Sequence, residues 1–453
     1  MVLRFRALSA TPRGLLILGL LIREALSFWT GHPYDTEVWI RNAFFVSQGA
    51  NPYSALMPAI PGLSFAYLHE DLPGVGYLPV WPLIVAGLYK VYALLPFSRF
   101  FLYFLLKQPT VLADAGLGVL IFHCVRRWGG AREASLKAMQ YWAFFPYAIV
   151  ISAMWGQFDA LVVVLLMLSL VSASSGRRVI WLGTGIALKW FPLTFLPFLT
   201  IRERWPRNLL PVLSLAIPSI ASLAVFWIFG WNLVGVTAMS ISASHGSGIG
   251  MSYVNILQAP LLVPSLGRIP FFYETLGYLW VPGILFAALL ARRRFQSDPQ
   301  GIVQAILLLT AVFYLTRYGV YEQYILYMLP FFLIDLTLWH PERRPLFRLF
   351  LSLATAYLLV NNDLLVRFLG PVSTSFVDAA YAADISPTVG IFRTGAIYVL
   401  NVLLSITFLQ LALVFANPAR DARPWPRVVL DRGRDWIRRR AARVILNPGG
   451  LRP

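Results

Sequence analysis

Apolar runs recur along almost the whole chain and are separated by short polar interruptions rich in arginine. They lie at residues 14–30, 76–96, 100–109, 111–125, 139–155, 159–175, 209–229, 276–291, 301–316, 323–339, 346–362 and 393–416. Such runs predict an all-α, polytopic transmembrane helical bundle of about 12 spans, several of them shorter than the roughly 20 residues that a hydrocarbon core asks for. A further apolar stretch, 179–201, has arginines at both ends and is too short for two full crossings. It predicts a re-entrant hairpin or a broken helix, with Gly183, Gly185, Pro192 and Pro197 supplying the break and Lys189 at the tip.

Composition strengthens the membrane reading. Of the 453 residues 58% are hydrophobic and 13% charged, with a mean hydropathy of +0.67, which excludes a set of ordinary water-soluble domains. The basic excess, 38 Lys plus Arg against 20 Asp plus Glu, would suggest nucleic acid in a soluble protein. Here it reads as topology, and no nucleic acid is expected. The clusters Arg4 to Arg13, Arg99, Arg126 to Arg132, Arg177 and Arg178, Arg202 to Arg207, Arg292 to Arg294 and Arg343 to Arg348 all fall on the cytoplasmic side if the first helix runs outward uncleaved. The basic tail, 417–453, then faces an anionic inner leaflet. The single Cys124 provides no disulfide framework. Asp114 and Lys107, two turns apart in one apolar run, read as a structural pair.

With that orientation the carboxylates gather on the extracytoplasmic side. The loop 31–75 carries Asp35, Glu37, His69, Glu70 and Asp71, and later turns bring Gln157, Asp159, His245, Arg268, Glu274, Arg317 and Glu322. Asp35 opens a segment whose Val38, Trp39, Ala43 and Val46 recur at helical spacing, so a short interfacial helix is expected. Its carboxylate reads either as an N-cap or as a general base for an acceptor hydroxyl. Glu37 points elsewhere and reads as a substrate-positioning or metal-binding group. Asp159 reads as a cap for the span that follows it. Lys189, one of only four lysines, reads either as a snorkelling side chain or as a point charge for a phosphate, and Arg317 reads as a bidentate phosphate partner or an interfacial arginine.

Several segments together carry a family resemblance. The acidic segment ending in GANPY, GYLPVWPL, KQPTVLAD, FFPYAIVISAMWGQFDALVV, ALKWFPLTFLPFL and YEQYILYMLPFFL occur in an order similar to that of GT-C glycosyltransferases, and most resemble GPI mannosyltransferase I-type enzymes and their prokaryotic relatives. WGQFD also resembles a luminal motif of dolichyl-phosphate-glucose glucosyltransferases. The resemblance implies a catalytic module over 1–229 that includes the loop 31–75, a C-terminal transmembrane module over 230–416, and a multi-pass protein of a prokaryotic cell membrane with an extracytoplasmic active site. It implies inverting transfer of a hexose, mannose first, from a polyprenyl- or dolichyl-phosphate sugar to a lipid-linked glycan, glycolipid or surface acceptor.

The same resemblance matches the family's catalytic acidic motif to Asp35 and Glu37. The second acid is Glu where the family often has Asp, so a divalent metal, Mg or Mn, stays open. Lys189, Arg317, Glu322, Gln157 and Asp159 are the expected substrate-binding residues, and Trp39, Trp155 and Trp190 are candidates to stack on a sugar. A lipid transporter or flippase and a non-catalytic assembly subunit are the competing classes. A transporter predicts paired halves with matching interruptions, and the sequence shows no such symmetry.

Overall fold

The computed structural model describes residues 10–434 except 54–55, 65–70, 73–74, 96, 203–205, 232–249, 252–277, 318, 418–421, 430 and 432–433. His69, Glu70, His245, Arg268, Glu274 and most of the basic tail therefore lie outside the described residues. The described chain is helical, and its only β-type pairing is an isolated bridge between Met57 and Leu72.

The helices are α1 (Pro12–Ser27), α2 (Pro33–Ser47), α3 (Val80–Leu94), α4 (Arg99–Arg127), α5 (Arg132–Ala143), α6 (Pro146–Trp155) and α7 (Asp159–Val171). They continue as α8 (Ser175–Leu188), α9 (Leu196–Arg202), α10 (Leu209–Phe229), α11 (Trp280–Arg294), α12 (Pro299–Thr316), α13 (Leu329–Leu338), α14 (Arg344–Asn361), α15 (Thr374–Ile385) and α16 (Pro387–Ala416). Several starts follow one local rule. Thr11-Pro12, His32-Pro33 and Asp298-Pro299 each place a capping side chain on a first-turn amide, with a proline where no N–H is needed.

Among the described residues, α4, α10, α12 and α16 are long and apolar enough to cross a bilayer, and the number rises to six if two bent pairs each count as one span. This is the architecture of a multi-pass membrane protein. The expected list of about 12 spans is not reproduced, and one part of it is overturned. The runs 100–109 and 111–125 form a single 29-residue helix, α4, with Pro109 in its interior. Packing of α4 against α1, α5 and α7 outweighs the break that proline introduces in an isolated helix.

That continuity relocates Arg99. Phe100 stacks with Phe28 and lies 5.9 Å from Trp29, just past the end of α1, whereas Arg127 at the far end of α4 donates to the Val171 carbonyl. Arg99 thus sits at the opposite end of the bundle from Arg126 and Arg127. The helix α3 follows Tyr77, which lies beside Lys189, and leads to Phe97, whose ring packs on Phe101. It starts and finishes at the Arg99 end, so the run 76–96 packs along α2 and does not traverse. Of the described residues in the other clusters, Arg178, Arg202 and Arg207 line one cavity at the Arg127 end, and Trp339, four residues before Arg343, packs on Trp128 there.

The hairpin expected at 179–201 has its tip at Lys189, where the backbone becomes extended between α8 and the 3-10 turn Phe191–Phe195. Its glycines serve another purpose than breaking the helix. A Cβ on Gly183 would lie 2.5 Å from the Ser214 carbonyl oxygen, so this glycine lets α10 approach closely.

Lys107 and Asp114 do not pair. Seven residues along one helix separate them by about 10 Å of axial rise, beyond ion-pair reach. Asp114 instead accepts from Arg23 Nε (2.6 Å), Trp142 Nε1 (3.0 Å) and Ser152 Oγ (2.6 Å). Lys107 Nζ donates to the carbonyls of Ser27 (2.6 Å), Thr30 and Ala153 (3.2 Å). These two buried knots fasten α1, α4, α5 and α6 together and satisfy charges that would be costly alone at this depth.

Candidate active site

Asp35 stands in the first turn of α2, but it is not the cap. His32 fills that role, its Nδ1 accepting from the Asp35 backbone N–H at 3.2 Å. Burial pushes the His32 imidazole down to about 4, although the Asp35 carboxylate pulls the other way, so the ring is neutral at neutral pH and can accept. The Asp35 carboxylate is then left for other partners. Trp155 Nε1 donates to Oδ2 at 2.5 Å and Gln157 Nε2 donates to the same oxygen at 2.7 Å. Oδ1 makes no hydrogen bond among the described residues, and the side chain keeps 24% of its surface exposed.

The backbone that delivers these donors is irregular. After Pro146 the helix α6 widens into a π-helical turn, Val150–Trp155, ends at Gly156 with φ +86°, and bends by 120° into α7. Gly156 is required twice here. Its left-handed conformation disfavours other residues, and a Cβ would meet Lys107 Cγ at 2.8 Å. The π-turn places the Trp155 ring 4.5 Å from that of His32 in a parallel stack, and Phe368 closes on both rings. Thr110 fixes the Gln157 backbone by donating to its carbonyl at 2.6 Å.

Glu37 is not brought to Asp35. Two residues on along a helix, it points away, is fully buried, and accepts from Arg41 Nε at 2.7 Å. Arg41 also donates to the Met57 carbonyl at 2.8 Å, tying α2 to the loop behind it. The geometry gives Glu37 a place in holding that loop.

Lys189 and Asp159 find each other. Asp159 is the first residue of α7, Lys189 follows the last residue of α8, and the antiparallel pair closes a buried ion pair with Nζ 2.8 and 2.9 Å from the two carboxylate oxygens. Asp159 therefore spends its carboxylate on the lysine and makes no side-chain cap. The ammonium also lies 4.9 to 5.4 Å from the ring centroids of Tyr77, Phe158 and Tyr324. Its charge is compensated within the protein.

Arg317 contrasts with it. Just beyond α12, its guanidinium lies over Trp190 (4.6 Å), Tyr324 (5.1 Å) and Phe313 (5.3 Å) and is 3% exposed. Among the described residues it has one long hydrogen bond, to the Gly319 carbonyl (3.4 Å), its Nε has no partner, and no carboxylate is within ion-pair distance. Stacking on aromatic faces offsets part of the desolvation of such a cation but supplies no counter-charge. Tyr324 touches both Lys189 and Arg317, which joins the two cations into one neighbourhood.

Glu322 begins the following 3-10 turn, where Oε1 accepts from Asn361 (2.7 Å) and Asn362 (3.1 Å) at the end of α14. Phe368, six residues after Asn362, closes on the rings of His32 and Trp155, and Tyr324, two residues after Glu322, lies against Arg317, so Asp35, Glu322 and Arg317 share one end of the bundle. His32, Asn361, Asn362 and Phe368 are site neighbours that the reading of the sequence did not select. The signal available for the asparagines was an Asn-Asn-Asp run directly ending an apolar span.

Among the described residues no group of three or more His, Cys, Asp or Glu side chains is arranged to hold a metal ion. Asp35 is met by N–H donors and Glu37 is committed to Arg41, so the two acids do not fit a shared metal here. No protein-family model matches the chain, and no curated protein matches it.

Proposed function

We propose that the chain is an integral-membrane, inverting glycosyltransferase that moves a hexose, mannose as first candidate, from a polyprenyl-phosphate carrier to a lipid-linked or surface glycan acceptor. The observation that carries this reading is the junction of Asp35 with Trp155 and Gln157. It joins the acidic segment after the first helix to the WGQFD segment, two of the pieces of sequence on which the resemblance rests, at one partly exposed carboxylate. The site would open to the extracytoplasmic face.

In this reading Asp35 Oδ1 takes the proton of the acceptor hydroxyl while Oδ2 is held by Trp155 and Gln157. The acceptor oxygen forms a bond to the anomeric carbon as the bond from that carbon to the phosphate oxygen breaks. The lipid phosphate leaves with the electron pair, and the configuration inverts. Arg317, with no carboxylate partner among the described residues, supplies positive charge where the leaving phosphate develops it. Lys189 contributes through its pair with Asp159, which fixes the floor of the site.

The test is transfer from polyprenyl-phosphate mannose in reconstituted membranes. Asp35→Asn is expected to lower the rate by about 10² to 10⁴, the usual worth of a positioned base. Near wild-type transfer by that variant would remove the base role. Movement of labelled carrier lipid across the membrane with no sugar transferred by wild type would favour the transporter reading.

A further inference from the structure

A second polar cavity lies at the other end of the bundle from Asp35. It encloses about 520 Å³ and is lined by Arg178, Arg202 and Arg207 together with Ser169, Ser175 and Ser297. Asp159 and Ser169 belong to one helix, α7, and the ten-residue step between their positions separates the two sites by about 15 Å of rise. Among the described lining residues there is no Asp or Glu. Asp298, the neighbour of Ser297, is occupied as the cap of α12, accepting from the Gly301 amide at 2.8 Å.

We infer that this cavity is a binding site for a phosphate-bearing anion. Three arginines from separate elements line one concave space: Arg178 from α8, whose Nε also donates to the Ser172 carbonyl at 2.7 Å, Arg202 from the end of α9, and Arg207 from the turn before α10. A guanidinium fork matches phosphate geometry. Serine hydroxyls complete a donor-rich lining. The remainder, Leu182, Leu199, Leu210 and Ile302, is aliphatic, as suits a ligand with an apolar continuation. The position, between helices at the arginine-rich end, is that of a membrane-surface basic pocket, where each Arg contributes about a fivefold gain in anionic lipid binding. A phospholipid headgroup and a soluble phosphate share the chemistry that this lining recognises.

The purified full chain, delipidated in neutral detergent, is offered phosphatidylglycerol, phosphatidylcholine or inorganic pyrophosphate, and the retained ligand is counted by native mass spectrometry. Wild type is expected to retain phosphatidylglycerol over phosphatidylcholine, and Arg178→Gln with Arg207→Gln to lose about 25-fold of that preference. Arg178→Lys with Arg207→Lys keeps the charge and is expected to retain most of it. Should the glutamine variant fail to fold, Ser297→Phe, which places a ring in the cavity and leaves every arginine, is expected to weaken the preference. Arginine-dependent retention of pyrophosphate without phosphatidylglycerol identifies a soluble phosphate as the ligand. Retention of neither anion above phosphatidylcholine, or retention unaffected by the glutamine and phenylalanine variants, overturns the proposal.

Discussion

The indole Nε1 of Trp155 donates to Asp35 Oδ2 across 2.5 Å, joining residues 120 positions apart in the chain, and the same indole stacks on the histidine that caps the helix of Asp35. Trp155 therefore holds the carboxylate and the backbone that carries it. Trp155→Phe keeps an aromatic ring for the stack and removes the N–H with the smaller ring of the indole. One charge-assisted hydrogen bond is worth about 1.5 to 3 kcal/mol, so sugar transfer is expected to fall roughly 10- to 100-fold with the unfolding midpoint nearly unchanged. Equal losses of activity and stability in this variant would assign Trp155 to packing.

The Lys189 and Asp159 pair makes a prediction about stability. Both side chains are buried, so removing one strands the other, and Lys189→Met alone is expected to cost about 3 to 5 kcal/mol. Adding Asp159→Leu to Lys189→Met should recover most of that loss, because two apolar groups leave no uncompensated charge. Thermal unfolding of the four members of this cycle in one detergent measures the coupling, and strictly additive effects would contradict a direct pair.

Arg317 should behave in the opposite sense. It carries its charge in an aromatic cage with no carboxylate among the described residues, so Arg317→Met is expected to leave the ligand-free protein as stable as wild type or more so. The same variant should lose the rise in unfolding midpoint that a polyprenyl-phosphate sugar gives wild type. A variant that unfolds early without ligand and still gains the full ligand-dependent rise would take Arg317 out of the phosphate site.

His32 gives the pH dependence a sign. Its folded pKa is depressed to about 4 from an ordinary 6.5, so the folded protein binds fewer protons than the unfolded chain between those values. Its contribution to stability is fully present above about pH 6.5 and is lost as pH falls towards 4, at up to about 1.4 kcal/mol per pH unit within that window. Denaturation midpoints at pH 7, 5.5 and 4.5 should decline more steeply for wild type than for His32→Asn, which keeps a capping side chain but does not titrate. Parallel slopes would mean that the ring is not held neutral.

The apolar pattern by itself determined that this is a helical membrane protein, because burying a backbone in lipid leaves few alternatives to the helix. It also determined the helix following Asp35 and the interruption at Lys189, where capping and chain-breaking residues act over a few positions. The candidate residues at the Asp35 end were legible as residue types in short segments. Their partners were not, since a hydrogen bond between Trp155 and Asp35 depends on how α6 bends through a π-turn against α1 and α2. The tertiary structure alone decided that Asp159 neutralises Lys189 while no described carboxylate neutralises Arg317, that Glu37 belongs to Arg41, and that Asp114 belongs to Arg23 and not to Lys107. It also made one helix of two expected spans. In each case the deciding energy is the desolvation of a buried charge or the packing of neighbouring helices, and both depend on residues that the sequence holds far apart.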